Sequence, residues 1–220
     1  MKKSSIFSTS KAQNSEWLRL FRFLFFVFLS VTFLKAHAQC PSVIATPSSA
    51  TICSGINTNI VLKSDISGAE FSWTAASTDV AGAADGKGSN INNILATMEA
   101  GTGTVVYTIT PIANGCKGTP ATVTIKVNPV PVAFAVPTTS TITSGTASSI
   151  SLTSDVVETS FSWTVSRSGV TGAASGSGSV ISQTISTVSE KGSATYRITP
   201  DFKGCGGNSI NVKVVINKKT

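Results

Sequence analysis

Beyond residue 38 the chain carries four cysteines, nine carboxylates and no histidine. The one histidine, His37, precedes that point. His-based triads, His–carboxylate bases and the usual zinc sets therefore lack their central group. Among the carboxylates only Asp65, in "KSDISG", and Asp155, in "TSDVVE", recur at equivalent places. General acid–base chemistry needs two groups converging on one site, whereas these two fall one to each half of the chain. Each is expected to form a turn by accepting backbone N–H groups. Asp65, Asp79 and Asp85 have the oxygen chemistry of an extracellular calcium site, but Gly169 and Ser175 stand for the last two in the second half. "GKGS" from Gly86 and "GSGS" from Gly176 lack the Lys-Ser/Thr helix start of a phosphate loop and read as turns. This set predicts no catalytic residue, no metal ligand and no cofactor.

The elements that hold these residues are written twice. "FSWTAASTDVAGAADGKGS" begins at Phe71, and "FSWTVSRSGVTGAASGSGS" begins at Phe161. A repeat of about ninety residues in a chain of 220 argues for two modules. Within each copy the apolar residues alternate: Ile60 and Leu62, Phe71 and Trp73, Val105, Tyr107 and Ile109, then Val123, Ile125 and Val127. A period of two, with β-branched enrichment and turn residues every ten or so positions, describes half-buried strands. The second copy keeps the pattern through Ile150 and Leu152, Phe161 and Trp163, Tyr196 and Ile198. It places Arg197 where Thr108 stood, at a position expected to face water. "INNILATMEA" is the one stretch whose periodicity is ambiguous. Seven or so short strands per copy, with a buried Trp on the third, predict an all-β chain of two immunoglobulin-like β-sandwiches. The expected core residues are Phe71, Trp73, Tyr107, Phe161, Trp163 and Tyr196.

"TICSG", "FSWT" and "YTITPIANGCKGTPATVTIKVNPVP" carry a resemblance to the PKD-like modules found in tandem in large secreted proteins of Gram-negative bacteria. It spans both copies, from about Pro41 to the end. The second copy departs where Thr143 replaces Cys53 and "DFKGCGGN" replaces "ANGCKGTP". The resemblance implies β-sandwich spacers or interaction domains and no catalysis. Larger relatives often end in a sorting domain, whereas this chain stops at "VKVVINKKT". A fragment of a longer adhesin is therefore one reading of it.

All four cysteines lie in a chain read as bound for an oxidising compartment, so two disulfides are expected. Strand direction alternates along a sandwich. Cys53, before the second strand, falls at the bottom of its module, and Cys116, after the sixth, falls at the top. A six-residue strand is about 20 Å long, while bonded cysteines need Cα atoms within about 7 Å. In a head-to-tail pair the bottom of the first module meets the top of the second. That arrangement predicts Cys40–Cys116 and Cys53–Cys205. One strand more or fewer between Trp73 and Tyr107 restores Cys53–Cys116 instead. The linker "NPVPVAF" carries Pro129 and Pro131, which stiffen it.

The formal charge of +7 is concentrated at the start: Lys2, Lys3, Lys11, Arg19, Arg22 and Lys35 precede residue 38. The remainder has eleven Lys/Arg against nine Asp/Glu and no basic cluster, so nucleic acid is not an expected partner. "FLFFVFLSVTFL" followed by Ala36-His37-Ala38 reads as an export signal over residues 1–38, cleaved before Gln39. The apolar run is short for a membrane span, so the membrane enters only through export. The long lead before that run also fits an uncleaved anchor. Gln39 ahead of Cys40 is a poor site for lipid attachment. The module boundaries follow as 39–130 and 131–220. The chain is expected to be exported to the periplasm, the cell surface or the medium. Its expected role is structural or adhesive, toward an unknown protein or glycan, through end loops or a Thr/Ser-rich sheet face. A carbohydrate-binding module is the alternative. Phe134 and Phe202 are the aromatics left for it after the core assignments.

Overall fold

The computed structural model describes residues 39–220. The expected export signal at 1–38 lies outside the described residues. Cys40–Thr220 clusters as one compact unit, and every regular element in it is a strand. "INNILATMEA", from Ile91, supplies the end of Asn90–Ile91 and the whole of Ile94–Thr97.

In the first module the strand Gly103–Ala113 is the spine of the larger sheet. It pairs antiparallel with Glu70–Thr78 on one side and with Ala121–Asn128 on the other. Gly86–Lys87 closes one edge, beside Trp73, and Ser49–Cys53 closes the other, running parallel to Ala121–Asn128. The facing sheet is Ile44–Thr46, Ile60–Lys63 and Asn90–Ile91. Alternation buries Ile60, Leu62, Phe71, Trp73, Val105, Tyr107, Ile109, Val123, Ile125 and Val127 between the sheets. The second module repeats the order: Thr139–Thr143, Ile210–Asn217, Lys191–Phe202, Ser160–Ser168 and Gly176–Ser177 face a sheet of Ala133–Val136, Ile150–Ser154 and Val180–Ile181. Its core holds Phe161, Trp163 and Tyr196 with Ile150, Leu152 and Ile198.

Each module also contains a sheet switch that periodicity does not reveal. The first strand pairs in the small sheet, the chain turns at Thr46–Pro47 or Val136–Pro137 (both cis), and the next five residues join the large sheet. Cys53 therefore ends a strand of its own, opposite Asn128, rather than sitting in a turn. Both pieces run in the same direction, so the switch leaves the up–down order of the later strands unchanged.

Candidate functional site: the module joint and the hydroxyl-lined sheets

Two places in the molecule could act on something else, the ends of the modules and their large outer faces. Both rest on the buried frame. Each core Trp donates its indole N–H to a backbone carbonyl, Trp73 to Ala84 and Trp163 to Ala174, both at 3.2 Å. The ring lies over a glycine of the edge strand paired with its own. A Cβ added at Gly86 would come within 2.5 Å of the Trp73 ring, and one at Gly176 within 3.0 Å of the Trp163 ring. "GKGS" and "GSGS" thus owe their first glycine to packing and their second, Gly88 and Gly178, to a positive φ. The core tyrosines donate to side-chain amides, Tyr107 to Asn93 Oδ1 and Tyr196 to Gln183 Oε1, each at 2.7 Å. Burial pushes the Tyr107 hydroxyl up to about 12 and raises that of Tyr196, where a hydrogen bond from Ser148 works the other way.

Asp65 and Asp155 do more than close their own turns. Each accepts a 2.8 Å bond from the chain arriving at its module, Asp65 from the Ser42 N–H and Asp155 from the Val132 N–H. Those backbone bonds are the main cause that lowers both carboxyls below the usual range, with the neighbouring Ser64 and Ser154 hydroxyls adding to it. Asp79 sits in the left-handed region, as Gly169 does in the second module, and Asp85 accepts from the Ala75 N–H at 2.8 Å. Among the described residues no group of three His, Cys, Asp or Glu converges on one point.

The four cysteines meet in two pairs. Cys40 bonds Cys116 at the end of the first module, with Cα atoms 5.2 Å apart. Cys53 bonds Cys205 across 152 residues, Cα to Cα 5.5 Å, and joins one module to the other. Pro131 anchors the linker: its carbonyl lies against Gly207, so closely that any side chain there would clash.

On the outer faces, strand register lines up hydroxyls and other polar side chains across three or four strands. In the first module Thr74, Thr108 and Thr122 form one row, and Thr78, Thr104, Lys126 and Thr51 form another. In the second, Thr164, Arg197 and Asn211 form one row, and Ser166, Thr195, Lys213 and Thr139 form the other. Of the two aromatics left for glycan stacking, Phe134 is 51% exposed, on the small sheet. Phe202 is not available, which corrects the expectation. It is 5% exposed, and the Lys203 ammonium lies 4.8 Å from its ring centre. It faces inward because its strand continues the alternation of Tyr196 and Ile198 to its end.

No helix among the described residues is long and apolar enough to cross a membrane. Among curated proteins, none matches the chain in sequence. Similar solved structures include human mucin-like protocadherin EC1-2, 12% identical, with 81% of this chain and 98% of that one covered at a TM-score of 0.36. Sidekick-1 immunoglobulin domains 1–4 are 10% identical, with 82% and 49% covered and a TM-score of 0.42. The fibronectin(III)-like modules of Clostridium thermocellum CbhA are 11% identical, with 80% and 95% covered and a TM-score of 0.36. The PKD-like domain profile matches twice, over residues 50–131 and 140–220. The chain belongs to the PKD-like domain family and carries that domain as two tandem, immunoglobulin-like β-sandwiches.

Proposed function

We propose that this is an exported, non-catalytic spacer of two modules, 39–130 and 131–220, acting at the cell envelope or outside the cell and presenting its large sheet faces and end loops to a protein or glycan. The Cys53–Cys205 bond carries the reading, since a covalent tie across the joint turns two beads on a linker into one oriented body. The disulfides favour an oxidising compartment. Small-angle scattering of the oxidised chain, compared with Cys53→Ser/Cys205→Ser, tests the spacer. A sharper distribution of dimensions is expected with the bond in place, and identical curves would remove its main support. Alongside it, a screen of residues 39–220 against glycans and extracellular matrix proteins tests adhesion.

One observation favours a carbohydrate-binding module as the second reading. Phe134 is half-exposed beside Val136, on the face where Ser151 lies between Val136 and Val180. Glycan binding that is lost on Phe134→Ala would establish that reading.

A further inference from the structure

The turn at Cys116 and the turn at Cys205 are the same structure. Each cysteine pairs back to the end of the long strand, at Ala113 or Phe202. The following Gly118 and Gly207 each donate to a proline carbonyl, Pro111 or Pro200, at 2.9 Å. The incoming chain packs identically too, with the Pro41 carbonyl on Gly118 and the Pro131 carbonyl on Gly207. In the second module this turn receives Cys53, which belongs to the module before it. In the first module it receives Cys40 from its own incoming chain.

The far ends of the modules match as well. Cys53 ends its strand opposite Asn128, and Thr143 ends its strand opposite Asn217. The next residue, Ser54 or Ser144, donates to that asparagine's carbonyl at 2.8 Å in both. Thr143 is thus presented as Cys53 is, but it has no thiol to give.

We propose that the end of the first module around Cys116 is a docking surface for a PKD-like module of another chain, one with a cysteine where this chain has Cys53, and that Cys40 holds that partner's place. Exposure agrees with the assignment. Cys205 is 3% exposed under the first module, whereas Cys116 is only half-buried. The inference goes beyond the spacer reading and does not depend on what the sheet faces bind. The exchange is redox-neutral. The partner's thiolate attacks Cys116 Sγ, the Cys40–Cys116 bond breaks as the new S–S bond forms, and Cys40 leaves as a thiolate that takes a proton from water. Because Thr143 lacks the nucleophile, this chain does not polymerise with itself through that end. A head-to-tail contact that failed to close would otherwise grow into a filament.

The test supplies the missing thiol. Full-length chain bearing Thr143→Cys, at an exposed strand end, is mixed with unaltered chain, and the linked species is mapped by non-reducing peptide analysis. Thr164→Cys, on the exposed sheet face, serves as the control. The expected product joins the introduced thiol to Cys116, frees Cys40 and forms in at least tenfold higher yield than with the control. Equal yields, or preferential linkage to Cys40, would overturn the proposal. If neither thiol exchanges, the same pair is run against Cys40→Ser in oxidised glutathione, with near-ultraviolet circular dichroism confirming the fold. The tenfold preference for Cys116 must appear there, and its absence counts against the docking surface.

Discussion

The first and second modules share a frame down to single hydrogen bonds, and they differ at their rims and outer faces. Trp73 and Trp163 use carbonyls eleven residues on, and Asp65 and Asp155 each hold a backbone N–H twenty-three residues back. These contacts sit where a change leaves a buried or anchoring group without a partner, and such losses are costly. The outer faces have no such constraint. Where the first module shows Thr108, Thr124 and Lys126, the second shows Arg197, Lys213 and Val215, so the charges on the two faces are differently placed. The contrast teaches that the repeat preserves a scaffold and leaves its faces free to diverge.

Substitutions at matched positions put that comparison at risk. The largest effect is expected from Trp73→Ala and Trp163→Ala, each costing its own module about 3–5 kcal/mol. Urea unfolding followed by the fluorescence of the remaining core Trp should show the other module nearly unchanged; equal loss in both would mean that they unfold as one. Next comes Cys53→Ser/Cys205→Ser, at about 2–4 kcal/mol. Calorimetry should then show the module transitions at lower temperature than in the oxidised chain. Gly86→Ala and Gly176→Ala sharpen the pair further. Both overpack by about 1–3 kcal/mol, and Gly86→Ala should be worse because its Cβ would meet the ring 0.5 Å sooner (2.5 against 3.0 Å).

Tyr107→Phe and Tyr196→Phe each remove one buried bond, at about 1–2 kcal/mol. The first should cost more, since the remaining bond to Asn93 Oδ1, from the Ala84 N–H, is 3.4 Å, against 2.9 Å from Ala174 to Gln183 Oε1. The tyrosines also set the alkaline limit. Folded Tyr107 titrates at about 12, above the roughly 10 of an unfolded tyrosine. Its stabilisation is complete below pH ~10 and disappears as pH rises through the folded value, so Tyr107→Phe should flatten that limb of a stability–pH curve. The smallest effect belongs to Asp65→Asn and Asp155→Asn. Both carboxyls are lowered, so their contribution is present above about pH 4 and falls away as pH drops through the folded value. Acid titration of stability should show a shallower slope in each variant.

The alternation in "FSWT" and "YTITP" carried the core legibly, because a two-residue period maps directly onto inside and outside. The sheet switch at Pro47 and Pro137 was not legible, since leaving one sheet for another changes the pairing partner and not the pattern. For the same reason the sequence showed Asp65 as a turn residue and hid its bond to Ser42, a contact set by how the incoming chain packs. Phe202 looked available because the core assignments in its copy stop at Ile198, whereas the alternation of its strand runs on to Phe202 and turns it inward. Gly86 carried no readable signal apart from its recurrence as Gly176. Its requirement comes from an indole ring thirteen residues earlier, brought there by strand pairing.

The Cys53–Cys205 cystine also determines how far the molecule can be drawn out under load. Tension applied between Cys40 and Thr220 does not have to travel along the whole backbone. It can pass down the fourteen residues from Cys40 to Cys53, cross to Cys205, and leave through the sixteen that end at Thr220. Thirty residues at about 3.3–3.6 Å each allow a reach of roughly 100 Å, even with every strand pulled apart. The stretch between Cys53 and Cys205 stays slack behind that shortcut. Rupture of the strands therefore leaves the separation of Cys40 and Thr220 capped at that reach for as long as the Cys53–Cys205 bond holds.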